Sequence, residues 1–293
     1  MEIKTVGVVG CGLMGAGISE VAARCGYQVL VSEASEELLN NGLGRVRASL
    51  AKAAIRGKVS QEEVGGALER IRGTTWLEEF GACDLVVEAV TEDMALKKEV
   101  FARLDRICPP RTILGSNTSC LCVTEMASVT QRGDRILGLH FFNPVPVMKL
   151  LEIVRTILTS DETLATCRAF GESLGKTVVV APDTPGFVVS RLLIPYLLNA
   201  IRLVENGVTS IEDVDQSMCL GTNMPMGPLQ LSDFIGLDTM LYIAEQMFGE
   251  FKDPAYAPPP LLRRMVLAGH LGRKTGKGFY DYAPSAWRAI SDA

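Results

Sequence analysis

The sequence predicts an α/β protein: a doubly wound sheet carrying an inserted helical arm, followed by an all-α C-terminal domain. Three observations predict it. Short β-rich runs alternate with helical patterns through the first half of the chain. A glycine turn separates the first β-rich run from the first helical pattern, as a βαβ unit requires. Beyond the loop Pro182-Asp183-Thr184-Pro185-Gly186-Phe187, strand signals almost vanish. The expected boundary lies near Asp183, with residues 1–183 in one domain and 184–293 in the other.

Residues 5–9 read as the first strand. It runs into Gly10-Cys11-Gly12-Leu13-Met14-Gly15, and a helical pattern over 16–25 follows. Gly26 stops that helix before a second strand at 29–32. GxGxxG alone is a weak signal. Between a strand and a helix, with the acid Glu33 closing the second strand, it predicts a Rossmann-like dinucleotide site. Gly10 permits the tight turn, Gly12 admits a pyrophosphate to the backbone, and Gly15 lets helix and strand pack closely. Leu13 and Met14 lie on the same turn and count with it as cofactor-binding. The helix N-terminus offers free N–H groups to phosphates. Glu33 can accept from a ribose hydroxyl and would repel a 2′-phosphate, so NAD is expected over NADP.

From Glu33 to Leu85 the chain reads as mostly helical. A long amphipathic pattern covers 35–56, Gly57-Lys58 turns it, and 61–71 continues it. This is the inserted arm, and its face carries Arg45, Arg47, Ser49, Lys52, Arg56 and Lys58. Strands resume at 85–90, 112–116 and 135–140, with a helix over 94–106, and a last strand stands at 177–181. Apolar runs of this length suit strands buried on both faces. Open α/β sheets bind ligands beyond the carboxyl ends of their strands. Three polar stretches stand there: Val90-Thr91-Glu92, Ser116-Asn117-Thr118-Ser119 and His140-Phe141-Phe142-Asn143.

His140 is one of only two histidines. A dehydrogenation releases a proton, and a side chain titrating near working pH must take it; histidine is the natural choice. Such a base needs an orienting partner on its other nitrogen. Glu152, inside the apolar run 150–154, is the nearest candidate, because a carboxylate buried unpaired is costly. A lone histidine among phenylalanines is more often a core residue, but its place at a strand end of a nucleotide-binding domain reverses that preference. His270, in a polar-flanked turn, reads as surface.

In the second half, 187–205 is apolar nearly all round, which argues for burial against a neighbour or a second subunit. Thr209-Ser210-Ile211-Glu212 opens the next helix with a capping pattern. Further helices are expected at 229–235, 237–247 and 261–268, and a loose tail after Tyr282.

Hydrophobic content of 47% and charged content of 22% fit a soluble globular protein. A net charge of −5 gives no basic field for nucleic acid or a membrane surface. The eight cysteines include no CxxC, so reduced thiols in a cytoplasmic protein are expected, and no metal site. MEIKTVGVVG has no targeting character, and the apolar run 192–201, broken by Pro195, is too short to span a bilayer.

VVGCGLMGAGI, VVEAVTED, SNTS, GLHFFNPVPVMKLLEIV, DTPGFVVSRLL, MPMGPLQLSDFIGLD and GRKTGKGFYDY run in order across almost the whole chain. On these motifs the sequence resembles the short-chain 3-hydroxyacyl-CoA dehydrogenase family, which includes 3-hydroxybutyryl-CoA dehydrogenases. The resemblance implies oxidation of (S)-3-hydroxyacyl-CoA by NAD, reversibly, with His140 as general base and Glu152 orienting it. It implies that Ser119 and Asn143 hydrogen-bond the substrate oxygens, hold His140 and meet the cofactor. Gly10, Gly12, Gly15 and Glu33 would hold the adenosine half of NAD, and Glu92, Lys97 and Lys274 would stand near its far half. Ser49 and Arg56 would meet the CoA moiety, although the family often has Lys at the latter position; the basic arm then has a polyphosphate to bind. Ser190, a substrate-site position, stands where the family usually has Asn. A homodimer through the helical domain is implied as well. Two alternatives remain: a sugar-acid dehydrogenase of the same fold, which would not need the basic arm, and a non-catalytic, crystallin-like NAD-binding protein.

Overall fold

Strand β1 (Thr5–Val9) leads into helix α1 (Leu13–Arg24), and the chain returns through β2 (Gln28–Ser32). Both strands are buried along four of their five residues, as parallel strands covered on both faces must be. This computed structural model describes residues 1–282. Ser35 caps α2 (Glu36–Ile55) by accepting from the Leu38 N–H. Ser60 and Glu63 form a reciprocal capping box that opens α3 (Gln61–Glu69). These two helices are the arm.

The stretch between the second strand and Leu85 is mostly helical, as expected, but it also holds a strand that the sequence pattern does not mark, β3 (Ile71–Thr74), paired parallel to β2. It is four residues long, with Arg72 exposed and Gly73 inside it, so neither length nor alternation marks it. Gly73 is there because Leu39 of α2 packs on it; a Cβ would meet the Leu39 side chain at 3.0 Å.

The sheet continues through β4 (Leu85–Glu88), then α4 (Met94–Ile107), β5 (Ile113–Ser116), α5 (Val123–Ala127) and β6 (Ile136–Phe141). β7 (Leu150–Arg155), α6 (Asp161–Ser173) and β8 (Thr177–Pro182) complete it. The strand order is β3-β2-β1-β4-β5-β6-β7-β8. β1 to β6 are mutually parallel, β7 is antiparallel to β6, and β8 is parallel to β7. The winding reverses between β1 and β4, so a crevice opens at their carboxyl ends. Val8, Val31, Val87, Ile113, Leu139 and Ile18 form the centre of the core. The fold class is the expected one.

The chain divides into two compact units, Met1–Phe187 and the residues from Val188 onward. The second contains α7 (Val189–Glu205), α8 (Ile211–Thr222), α9 (Pro228–Ile235), α10 (Leu237–Phe251) and α11 (Pro260–Leu267). α7 buries Ile194, Leu197, Leu198 and Ile201 and leaves another apolar residue, Leu192, 73% exposed. Composition counts apolar residues; the fold uses one face of them. Asp233 ties down the last described segment by accepting from the N–H groups of Phe279 and Tyr280 and from the Tyr282 hydroxyl. No helix among the described residues is long and apolar enough to cross a membrane. The expected tail after Tyr282 lies outside the described residues. All eight cysteines are free thiols.

Candidate active site

At the end of β1, Gly10 takes φ +94°, and a Cβ there would lie 2.7 Å from the Ala89 carbonyl oxygen at the end of β4. A Cβ on Gly15 would overlap the Gly10 carbonyl oxygen. Gly12 differs: nothing lies within 4 Å of its absent Cβ. It is also the N-cap of α1, and no side chain caps that helix. The first-turn N–H groups therefore face open space at the positive end of the helix dipole, which fits the pyrophosphate of a dinucleotide. Leu13 is 64% exposed on this turn and Met14 half-buried. Glu33 reaches the turn from β2: Oε1 accepts from the Cys11 N–H at 2.6 Å and Oε2 from the Ala34 N–H at 3.2 Å. A carboxylate anchored there suits a ribose hydroxyl and disfavours a 2′-phosphate.

The next wall is a buried polar cluster behind the β4 and β5 ends. Glu88 is fully buried and accepts from Lys97 Nζ, the Val90 N–H and the Ser116 hydroxyl, each at 2.7 Å. Lys97 Nζ also lies 3.1 Å from Glu92 Oε2. Glu92 Oε1 accepts from the Thr118 hydroxyl and, at 3.1 Å, from the Ser119 N–H. Burial pulls the Lys97 ammonium down, but Glu88 and Glu92 outweigh it and raise its pKa. Lys97 is 1% exposed, so it stands behind Glu92 rather than on the crevice surface. Glu88 went unnoticed in the sequence because it closes an apolar strand; a carboxylate inside VVEAV is the signal that could have found it.

His140 and Glu152 meet one strand further on. They are register partners across β6 and β7, and His140 Nδ1 lies 2.8 Å from Glu152 Oε2. His140 is 4% exposed and Glu152 fully buried. Phe142 and Phe187 pack on the imidazole, with ring centroids 4.4 and 5.5 Å away. Phe187 reaches it from a chain turned by two successive left-handed residues, Gly186 at φ +80° and Phe187 at φ +45°. Asn117, unassigned from the sequence, holds the end of β6: its Oδ1 accepts from the Phe141 N–H at 2.9 Å. Ser119 is half-buried and Asn143 exposed, and neither is hydrogen-bonded to His140.

The remaining expected positions are on α2 and in the second unit. On α2, Arg45, Ser49, Lys52 and Arg56 recur at a 4-3-4 spacing, which puts them on one face. Arg45, Arg47, Lys52, Arg56 and Lys58 are all exposed and form no ion pair among the described residues. In the second unit, Ser190 is buried in the first turn of α7, and Lys274 pairs with Asp238 at 2.5 Å. His270 is half-buried.

Two family models match the chain. Residues 5–184 match the 3-hydroxyacyl-CoA dehydrogenase NAD-binding domain, and residues 186–282 match the C-terminal domain of the same family. The chain belongs to the 3-hydroxyacyl-CoA dehydrogenase family. It is an NAD-dependent oxidoreductase that acts on a CH–OH group. A 3-hydroxybutyryl-CoA dehydrogenase of Mycobacterium tuberculosis is 51% identical to this dehydrogenase over 282 residues, covering 96% of this chain and 99% of the relative. The human mitochondrial hydroxyacyl-coenzyme A dehydrogenase is 44% identical over 287 residues, 96% of this chain and 91% of that one. Among solved structures, the (S)-3-hydroxybutyryl-CoA dehydrogenase of Ralstonia eutropha superimposes with a TM-score of 0.92 at 44% identity, covering 96% of this chain and 100% of that one.

Proposed function

We propose that the protein oxidises (S)-3-hydroxybutyryl-CoA to acetoacetyl-CoA and catalyses the reverse reduction. The observation that carries the mechanism is the 2.8 Å contact between His140 Nδ1 and Glu152 Oε2. Glu152 accepts from Nδ1–H and fixes the tautomer, which leaves the lone pair on Nε2. His140 Nε2 takes the 3-hydroxyl proton, and the buried carboxylate stabilises the imidazolium that forms. NAD, when bound, supplies the hydride acceptor. In reduction the protonated His140 returns the proton to the 3-oxygen. Ser119 and Asn143, at strand-end loops beside His140, hydrogen-bond the substrate oxygen. Lys97 is a positioning residue that holds Glu92 toward the cofactor.

The unpaired cations of the arm support a CoA thioester over a sugar acid, because a CoA carries several phosphates and a sugar acid carries one carboxylate. The relatives' names support the four-carbon acyl chain. Exposed Leu192, Leu220 and Leu267 on the helices of the second unit support a homodimer formed there, and the free thiols support a cytoplasmic setting. Ser190, shorter than the usual Asn, reaches a substrate group through a water.

The test is NADH consumption with acetoacetyl-CoA, with NADPH in parallel. Rapid loss of NADH alone is expected. Folded protein that binds NADH but turns over no CoA thioester would refute the substrate assignment.

A further inference from the structure

β5 stops pairing before β6 does. The parallel ladder between them runs to Ser116 opposite Gly138. Had it run on, the backbone at 118 and 119 would have stood opposite His140 and Phe141. That backbone turns away instead: the Thr118 hydroxyl and, at 3.1 Å, the Ser119 N–H both donate to Glu92. The turn would leave the Phe141 N–H orphaned at the buried end of β6, and a buried donor without a partner is costly.

Asn117 replaces the missing rung. Its Oδ1 accepts from the Phe141 N–H at 2.9 Å, and its own N–H donates to the Glu88 carbonyl oxygen at 2.8 Å. One residue therefore ties the end of β4, through its backbone, to the end of β6, through its side chain. The donor on Phe141 decides which branch of the amide is the oxygen. The other branch, Nδ2, bonds to nothing among the described residues. A carboxylate at this position would keep the rung and lose no other contact of the fold. His140 directly precedes Phe141, so a shift of that backbone carries the imidazole with it. Glu152 holds the imidazole from β7, and Asn117 holds the same strand end from the side of β5.

We propose that Asn117 is a positioning residue for His140: its side chain sets the spacing between the base on β6 and the wall that β4 and Glu92 build. The proposal rests on the reading of His140 as the base. It gives the polar stretch after β5 two duties, Thr118 and Ser119 fastening it to Glu92 and Asn117 fastening it to the strand of the base.

The test compares the native protein with N117A, N117D, H140A and N117A/H140A, using acetoacetyl-CoA and NADH. Each kcat is referred to NADH-binding sites counted by fluorescence titration, so protein that has not folded drops out. N117A is expected to lower kcat roughly thirtyfold or more, because a misplacement of about 1 Å can cost about 10²-fold. Its KM for acetoacetyl-CoA and its Kd for NADH should stay within about twofold of native, since binding before the reaction is untouched. N117D keeps the acceptor and should recover most of the loss when each variant is compared at its own pH optimum. N117A/H140A should be no slower than H140A, because a residue that acts through the base has nothing left to act on. A native kcat in N117A overturns the proposal, and so do losses in N117A and H140A that multiply in the double variant. An N117D as slow as N117A overturns it as well, because Nδ2 rather than Oδ1 would then matter. H140A alone separates the two failures. An undiminished kcat in H140A refutes the base reading itself, whereas multiplied losses with a slow H140A refute only the role of Asn117.

Discussion

His140 and Glu152 are direct partners across the antiparallel pairing of β6 and β7. Cross-strand partners share a face, so their contact follows from the register. A slip of one residue in either strand would turn one of them to the opposite face. Gly138, two residues before His140, faces Val154, two residues after Glu152. A Cβ at Gly138 would lie 2.6 Å from the Val154 Cβ, so the pairing admits only glycine there.

His140→Ala is therefore expected to lower kcat by roughly 10²- to 10⁴-fold, the contribution of a positioned general base. NADH affinity, read by fluorescence titration, should not change. Glu152→Gln keeps the shape and an acceptor but removes the charge that stabilises the imidazolium. It should lower kcat by a smaller factor, roughly tenfold or more. If kcat survives His140→Ala within tenfold, another group takes the proton.

The expected preference for NAD over NADP rests on Glu33. Its carboxylate is anchored by two backbone N–H groups of the turn and of its own strand end. Glu33→Ala should weaken NADH binding by roughly tenfold, the loss of one charge-assisted hydrogen bond. NADPH should bind better in the variant than in the native protein. Calorimetry with both cofactors decides it; an unchanged preference would place the ribose elsewhere.

How much of this was legible in the sequence depends on range. The glycine turn and Glu33 are local signals, and each stands where its spacing put it, while the capping pattern at 209–212 is displaced by one residue: Ser210 is the N-cap and accepts from the Asp213 N–H. The His140–Glu152 contact was legible because two awkward residues had one common remedy, and the register supplies it. β3 was not legible, because a four-residue edge strand with a glycine inside is defined by its neighbour β2 and by Leu39, not by its own pattern. Glu88 and Asn117 were passed over for a related reason. One is disguised by an apolar strand, and the other acts through the Phe141 N–H, twenty-four residues away.

Lys97 is the keystone of the cluster behind Glu92. Lys97→Ala leaves Glu88 fully buried without a counter-ion, which should destabilise the fold by about 3–5 kcal/mol. The urea midpoint reads this. Glu88→Gln/Lys97→Met should recover most of the loss, because neither group is then charged. The pH dependence has a definite sign. The folded pKa of Lys97 is raised, so its stabilisation is fully present below the unfolded value of about 10.4 and is lost as pH rises through the folded value. Between pH 6 and 9 the stability difference attributable to Lys97 should stay flat. A difference that shrinks across that window would show the pair to be neutral.

Glu20 behaves in the opposite sense. It is 1% exposed on α1, its Oε1 has no hydrogen-bond donor among the described residues, and the Arg24 guanidinium stands 3.6 Å away. Burial raises its pKa, and Ser49 and Arg24 offset this only in part. A folded value above the unfolded one, about 4.3, means the native state binds this proton more tightly. Stability then falls as pH rises from the unfolded value to the folded one, and the whole penalty is present above both. Glu20→Gln removes the charge and keeps the shape. The variant should melt higher than the native protein at pH 7.5, and the two should converge below the unfolded value, where Glu20 is protonated in either state. Thermal melts from pH 4 to pH 8 check both limits. A variant that melts lower at pH 7.5 would mean that attraction to Arg24 outweighs the desolvation of Glu20, and the sign would be reversed.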